Sequence, residues 1–409
     1  MDASTRRTEA WSRHDTRAGM LAGTLAAGPG GAPTLAPASV RRRGVSALPT
    51  IELGTGGAVT LHHQAQERYR RVSVIGEGGM GVVERAEDVD IGRPIAIKRL
   101  TAEASHPMGI ARFVSEVRIV GNLEHPNVAP IHDVGVDDEG RYFFVMKYVE
   151  GQTLGDVIDA LAAGNKEAHA YWTHERRAEV MVAVLRALEY AHSRGIIHRD
   201  VKPDNVMIGR YGEVWLLDWG IAIKAGEAEI GAGDEEGAMP AICGTPAYMS
   251  PEQARGATLD ARSDLYSASV MFHELATLRH YLAHRSDNVV EILEAVEHES
   301  PVVAGPGVFS NPHQDAPPIE LQRIWEKGLA KDPALRHGSA AEMLAGVKAY
   351  LEGRNQVGCV YSFTKRGLRE GGRFVDRHPR LAVGLFFAGA LAAIFGAVMG
   401  IVMLARGLG

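Results

Sequence analysis

Two cysteines in 409 residues, Cys243 and Cys359, stand too far apart in sequence to suggest a disulfide framework or a cysteine-based zinc site. A reducing compartment is the expectation. Basic residues are not in surplus either: 44 Lys and Arg face 50 Asp and Glu, a formal net charge of −6, which argues against a general nucleic-acid binder with its basic face. A secretory leader is not indicated, because the apolar patch Met20–Ala27 lies inside the chain and is broken by Gly23 and Thr24. One further absence is local: residues 221–244 contain no Ser, Thr or Tyr.

What is present divides the chain into three regions. Residues 1–65 are rich in Gly, Ala, Pro, Ser, Thr and Arg without helical or strand period, and are expected to be a disordered tail. Residues 66–353 alternate in the manner of strands around a group of glycines and then carry amphipathic stretches such as Glu179–Ser193 and Ile319–Leu329, the pattern of a folded cleft enzyme. Residues 354–380 are basic, and 381–404 are uncharged and apolar.

Chemistry concentrates in the folded region. His198-Arg199-Asp200-Val201-Lys202-Pro203-Asp204-Asn205, with Asp218-Trp219-Gly220 soon after, places a base, a cation and two oxygen ligands for a hard metal in one short stretch. Upstream, Gly76-Glu77-Gly78-Gly79-Met80-Gly81 lacks side chains where backbone N–H groups would approach phosphate oxygens. Alone, that segment could equally open a Rossmann helix or be a plain turn. Val82-Val83 and Ile95-Ala96-Ile97-Lys98 read as strands, with no helix entering after the glycines, which disfavours the Rossmann reading. Lys98 could be a surface cation. Glu116, in the amphipathic segment Ile110–Leu123, is a candidate partner, with Val114, Val117, Val120 and Gly121 expected to mark an inward face and Glu124 a nearby decoy.

Taken together these motifs resemble the eukaryotic-type Ser/Thr protein kinases, in particular the bacterial, membrane-anchored type. The resemblance implies an α+β, bilobal protein-kinase fold: a β-rich N-lobe (66–150) carrying the helix the family calls αC, and a helical C-lobe (151–353). It implies ATP with Mg2+, or Mn2+, and transfer of the γ-phosphoryl group to protein Ser or Thr hydroxyls. Asp200 would orient the hydroxyl and take its proton, Lys202 would stabilise the transferring phosphate, Lys98 held by Glu116 would grip the triphosphate, and Asn205 and Asp218 would hold the metal. Val83, Ala96 and Met207 would sandwich the adenine, Met146 would be the gatekeeper, and the Lys147 carbonyl and Val149 N–H would pair with the base edge. Lys202 and the segment Gly244–Glu252 mark the Ser/Thr branch. Glu252 and Arg336 look like the buried ion pair of the C-lobe, and Asp264 like the aspartate that ties down the catalytic loop.

Three departures from the family pattern stand out. Lys147 occupies a position that is usually acidic, though backbone atoms do the pairing there. Trp219 replaces the usual Phe, so a larger ring must stack with Val120 and His198, and its N–H wants a partner. The segment 221–244 offers no hydroxyl to phosphorylate, and Asp234-Glu235-Glu236 could partly stand in for a phosphate near Arg199 or be merely a solvated loop. Two rival readings follow: a pseudokinase scaffold, and a small-molecule kinase on the same fold, which would generally lack the Gly244–Glu252 segment.

Residues 381–404 are long enough to cross a bilayer core, which takes about 20 helical residues. The flank from Arg354 to Arg380 holds seven basic residues against Glu370 and Asp376, placing the catalytic region on the cytoplasmic side of the cell membrane. Gly396 and Gly400 form a small-xxx-small face compatible with a homodimer. Only Ala405–Gly409 follow the span, and no external sensor domain is expected.

Overall fold

The computed structural model describes residues 48, 50–53, 59–62, 67–78, 81–224, 244–283, 288–299 and 311–354. The chain divides into two compact units, 1–348 and 349–409. Residues 381–404, the basic flank beyond Arg354, Asp234–Glu236, and Gly79 and Met80 of the glycine loop lie outside the described residues. Among the described residues no helix is long and apolar enough to cross a membrane. Within the stretch expected to be a tail, β1 (Thr50–Leu53) and β2 (Val59–His62) pair as an antiparallel hairpin with Ile51 opposite Leu61.

The N-lobe is a five-stranded antiparallel sheet. It is built from β3 (Tyr69–Gly78), β4 (Gly81–Asp88), β5 (Arg93–Leu100), β6 (Ile131–Val136) and β7 (Tyr142–Lys147), in the spatial order β3-β4-β5-β7-β6. Successive side chains of a strand point to opposite faces, and β5 and β7 use both. Ile95, Ile97, Phe143 and Val145 pack with Tyr69 and Ala86 in one cluster. Leu100, Phe144 and Met146 pack in another with Ala104 and Phe113. Lys98 shares the parity of Leu100, so it emerges on the face covered by α1 (Pro107–Gly121), to which Phe113 belongs.

Helix α1 begins three residues before the amphipathic segment read from sequence. Pro107 supplies a preset φ at its first turn, and His106 caps it, Nδ1 accepting from the Gly109 N–H at 3.3 Å. Its buried residues are Gly109, Phe113, Glu116, Ile119 and Val120. The inward stripe therefore runs through Phe113, Glu116 and Ile119 at three-residue steps, whereas Val114 is only partly covered and Gly121 is exposed.

The C-lobe follows through β8 (Gly151–Thr153), α2 (Leu154–Ala162), α3 (Lys166–Tyr171) and α4 (His174–Ser193). Its centre is α6 (Ala261–Thr277), buried along nearly its whole length and packed on α4 and on α8 (Ile319–Gly328). A helix so enclosed must satisfy its own polar side chains. The Ser267, Ser269 and Thr277 hydroxyls donate to carbonyls four residues back, those of Ser263, Leu265 and His273. α6 and α8 also approach closely: a Cβ at Gly328 would lie 1.8 Å from Ser269 Oγ, so only glycine fits there. The short helix α5 (Pro251–Ala254), α7 (Val289–His298) and α9 (Ala340–Leu351) complete the helices.

Small sheets bracket the motif at 198–205. β9 (Ile196–Ile197), just before it, pairs with β12 (Ile223–Lys224), and β10 (Val206–Gly209), just after it, pairs with β8 and with β11 (Val214–Leu216). Val206 lies opposite Leu216. Continuing that register one step brings Asn205 beside the residues leading into Asp218, and Leu217 N–H donates to the Asn205 carbonyl at 2.8 Å.

Candidate active site

Lys98 meets two carboxylates. Its Nζ lies 2.6 Å from Glu116 Oε1 and 3.1 Å from Asp218 Oδ1. Burial disfavours the ammonium charge, but Asp218 and Glu116 outweigh it and hold the lysine pKa above its ordinary value. Burial pushes the Glu116 carboxyl up against the pull of Lys98. The Lys98 charge is likewise the main cause that lowers Asp218 to about 2. The Asp218 backbone is left-handed, with φ 56°, and its side chain is half exposed.

A second group forms on the catalytic loop. Asp200 Oδ1 accepts from the Thr245 backbone N–H and hydroxyl, both at 3.0 Å, and Oδ2 accepts from Asn205 Nδ2, also at 3.0 Å. Lys202 Nζ lies 3.0 Å from Asp200 Oδ2 and donates to Thr245 Oγ1 at 2.6 Å. Thr245 thus joins the Gly244–Glu252 segment to the loop. Thr245 is not among the site residues expected from sequence; its signal there is the Gly-Thr-Pro spelling. The two groups adjoin through the Leu217 bond to Asn205, and the Lys202 charge also lowers Asp218.

The loop backbone is held from below. Asp264, buried on α6, accepts the N–H groups of His198 and Arg199, each at 2.9 Å, and His192 Nε2 at 2.8 Å. Burial alone would raise its pKa, yet these donors bring it below the ordinary carboxylate range. With both N–H groups fixed, Arg199 is held at a left-handed φ of 71°. Farther out, Arg336 and Glu252 form a buried bidentate pair, NH1–Oε1 and NH2–Oε2 both at 2.7 Å, and Ser263 donates to the same carboxylate.

The residues expected from sequence to receive adenine lie on four strands and in one connection. Val83 is on β4 opposite Lys98, Ala96 on β5 opposite Met146, and Met207 on β10 opposite Trp215. Lys147 ends β7 and Val149 lies in the connection to β8. The Lys147 ammonium sits 4.7 Å from the centre of the Trp215 ring, so its charge is engaged by an aromatic face. Gly76, Glu77 and Gly78 form the end of β3, and Gly78 pairs with Gly81 at the start of β4.

These residues fit a nucleotide carrying a divalent metal. A Cβ at Gly78 would meet nothing within 4 Å, and one at Gly76 only Val83 at 4.0 Å, so protein packing does not demand these glycines and space is left for a ligand. At Gly81 a Cβ would strike the Arg99 carbonyl at 2.5 Å, which makes that glycine structural. Asn205 spends its amide nitrogen on Asp200, which leaves its side-chain oxygen as the end that could ligate a cation. Among the described residues no group of three or more His, Cys, Asp or Glu side chains could hold a metal. Two oxygen donors completed by substrate phosphates is the usual arrangement for Mg2+.

Residues 69–346 match the protein kinase domain family. The chain belongs to the eukaryotic-type serine/threonine protein kinase family. A "Probable serine/threonine-protein kinase" of Streptomyces coelicolor is 37% identical over 322 residues, covering 77% of this chain and 44% of that relative. "Serine/threonine-protein kinase PknB" of Mycolicibacterium smegmatis is 34% identical over 300 residues, 72% of this chain and 45% of its own. "Serine/threonine-protein kinase PknD" of Protochlamydia amoebophila is 34% identical over 309 residues, 71% and 31% respectively. The chain spans less than half the length of these curated relatives. In the kinase frame β3 to β7 with α1 form the N-lobe, and the cleft lies where β5, α1 and the loop 198–218 converge.

Proposed function

We propose that this kinase transfers the γ-phosphoryl group of ATP to Ser or Thr hydroxyls of protein substrates. The observation that carries the reading is the meeting of Lys98, Glu116 and Asp218 beside Asp200, Lys202 and Asn205 from separate elements. Phosphoryl transfer needs positioning and charge neutralisation more than covalent chemistry, and this set supplies both. Bound magnesium would neutralise phosphate charge. Asp200, aligned by Thr245 and Asn205, orients the acceptor hydroxyl and receives its proton. Lys202, tied to Asp200 and Thr245, counters charge on the transferring group. Lys98, held by Glu116, grips the nucleotide phosphates, while Val83, Ala96, Met146, Lys147, Val149 and Met207 receive the base. The retained Thr245 segment favours a peptide acceptor over a small molecule. Incubating the chain with ATP, magnesium and a Ser/Thr peptide library, beside small-molecule alcohols, tests the reading; phosphate found only on the alcohols, or nowhere, would reject it.

The same proposal places the kinase at the cytoplasmic face of a membrane, anchored through residues 381–404. The uncharged run and its basic flank support this. Gly396 and Gly400 support pairing of two such helices. Deleting 381–404 should release the protein from carbonate-washed membranes, and Gly396→Ile should weaken a membrane dimerisation reporter.

A further inference from the structure

Trp219 is among the largest fully buried side chains of the protein, 2% exposed, and it sits directly after Asp218. Its indole packs on His198, ring centres 4.4 Å apart at 54°. Its Nε1–H donates to the Leu216 carbonyl at 3.3 Å. A phenyl ring at this position could stack but could not make that bond. The neighbouring carbonyl is also occupied. The Asp200 N–H donates to His198 Nδ1 at 3.2 Å, which fixes the imidazole proton on Nε2, and Nε2 faces the Leu217 carbonyl at 3.1 Å. Both carbonyls that lead into Asp218 are thus tied by aromatic side chains beneath it.

Asp218 holds its left-handed backbone between this anchored pair and the turn in which the Ala222 N–H reaches the Trp219 carbonyl at 3.0 Å. Moving Asp218 away from Lys98 would carry Trp219 with it, breaking the indole bond and exposing the largest side chain type there is. The segment that follows offers no phosphate acceptor, since residues 221–244 lack Ser, Thr and Tyr. Phosphorylation of a hydroxyl within 221–244 therefore cannot set the position of Asp218.

We propose that Trp219 is a positioning residue, a latch whose indole N–H bond to Leu216 holds Asp218 in its metal-binding position without phosphorylation of the segment behind it. The inference rests on the reading of Asp218 as a magnesium ligand. A net hydrogen bond of ordinary strength biases the two loop positions by about 2- to 12-fold. Ligands that require the inward position then bind more weakly by up to that factor once the bond is lost.

The test is ADP binding by calorimetry on the full chain, with and without magnesium. The variants are Trp219→Phe and an isostere in which 3-benzothienylalanine replaces Trp219, keeping the bicyclic shape but not the N–H. The expected result is ADP affinity without magnesium within about twofold of the parent, affinity with magnesium measurably weakened, by up to about 12-fold, in both variants, and a melting temperature close to the parent's. Magnesium-dependent affinity equal to the parent in the isostere would overturn the latch, as would an equal loss with and without magnesium, which would mark general loosening. A parent chain with no magnesium-dependent gain, indistinguishable from Asp218→Asn, would overturn the metal assignment itself and the latch with it.

Discussion

Glu116 on α1 reaches Lys98 on β5 at 2.6 Å, an ion pair between two elements that also meet through apolar side chains, Phe113 and Leu100 lying in one cluster. The bond makes the seat of α1 a condition for placing the phosphate-gripping lysine. Replacing Glu116 by Gln keeps the shape and removes the charge. Turnover should fall about 10²-fold, the scale of a misplacement near 1 Å, while the protein stays folded. Steady-state kinetics with a melting curve checks this.

Asp264 anchors the catalytic loop through two backbone N–H groups and His192. Asp264→Asn keeps an acceptor oxygen but loses the charge that favours these bonds. The expected outcome is a lower kcat with nucleotide affinity within a few-fold of the parent, read by kinetics and ADP titration.

The Arg336–Glu252 pair is buried and bidentate, and Glu252 is held below the ordinary carboxylate range against its burial by Arg336 and Ser263. Arg336→Ala strands a buried carboxylate and should destabilise by about 3–5 kcal/mol. Arg336→Lys should recover only part, because an ammonium lacks the planar fork. For Glu252 the folded pKa is depressed, so its contribution is present above the unfolded pKa and lost as pH falls through the folded one. The gap between Arg336→Ala and the parent should therefore narrow in acid, as urea unfolding would show.

Lys331 donates to Val296 O at 2.6 Å and Tyr266 Oη at 2.8 Å, and burial with help from nearby Arg336 lowers it from 10.5 to about 8. Between those values the unfolded chain keeps a proton that the folded chain has given up. Stability from this group consequently rises with pH across the window from about 8 to 10.5. Unfolding at pH about 7.5, 9 and 10 should show the parent gaining on Lys331→Met as pH rises.

Much of this site was legible in the sequence because kinase chemistry fixes residue types at short spacings. Lys98, Asp200, Lys202, Asn205 and Asp218 could be named from the chain, and the parity of β5 explains why Lys98 faces α1. The helix face was less legible: Val114 and Gly121 looked inward by type, but the stripe runs through Phe113 and Ile119, the face set by packing of Phe113 against Leu100 and Phe144 of the sheet. Thr245, and the joint hold of Asp264 on His192 and the loop, depend on contacts between residues far apart in sequence, which local spelling does not carry. The β1–β2 hairpin lies in a stretch whose composition showed no strand alternation. The want of a partner for the Trp219 N–H was predictable from chemistry; that the partner is Leu216, three residues back, was not.

In the proposed function Asp200 serves transfer to a hydroxyl of protein. The most direct measurement is incorporation of labelled phosphate into the full chain from ATP and magnesium, beside Asp200→Asn, followed by peptide mapping. The predicted result is label on Ser or Thr outside residues 221–244 in the parent, falling about 10²- to 10⁴-fold in the variant. Equal labelling of both proteins, or none in either, would contradict it.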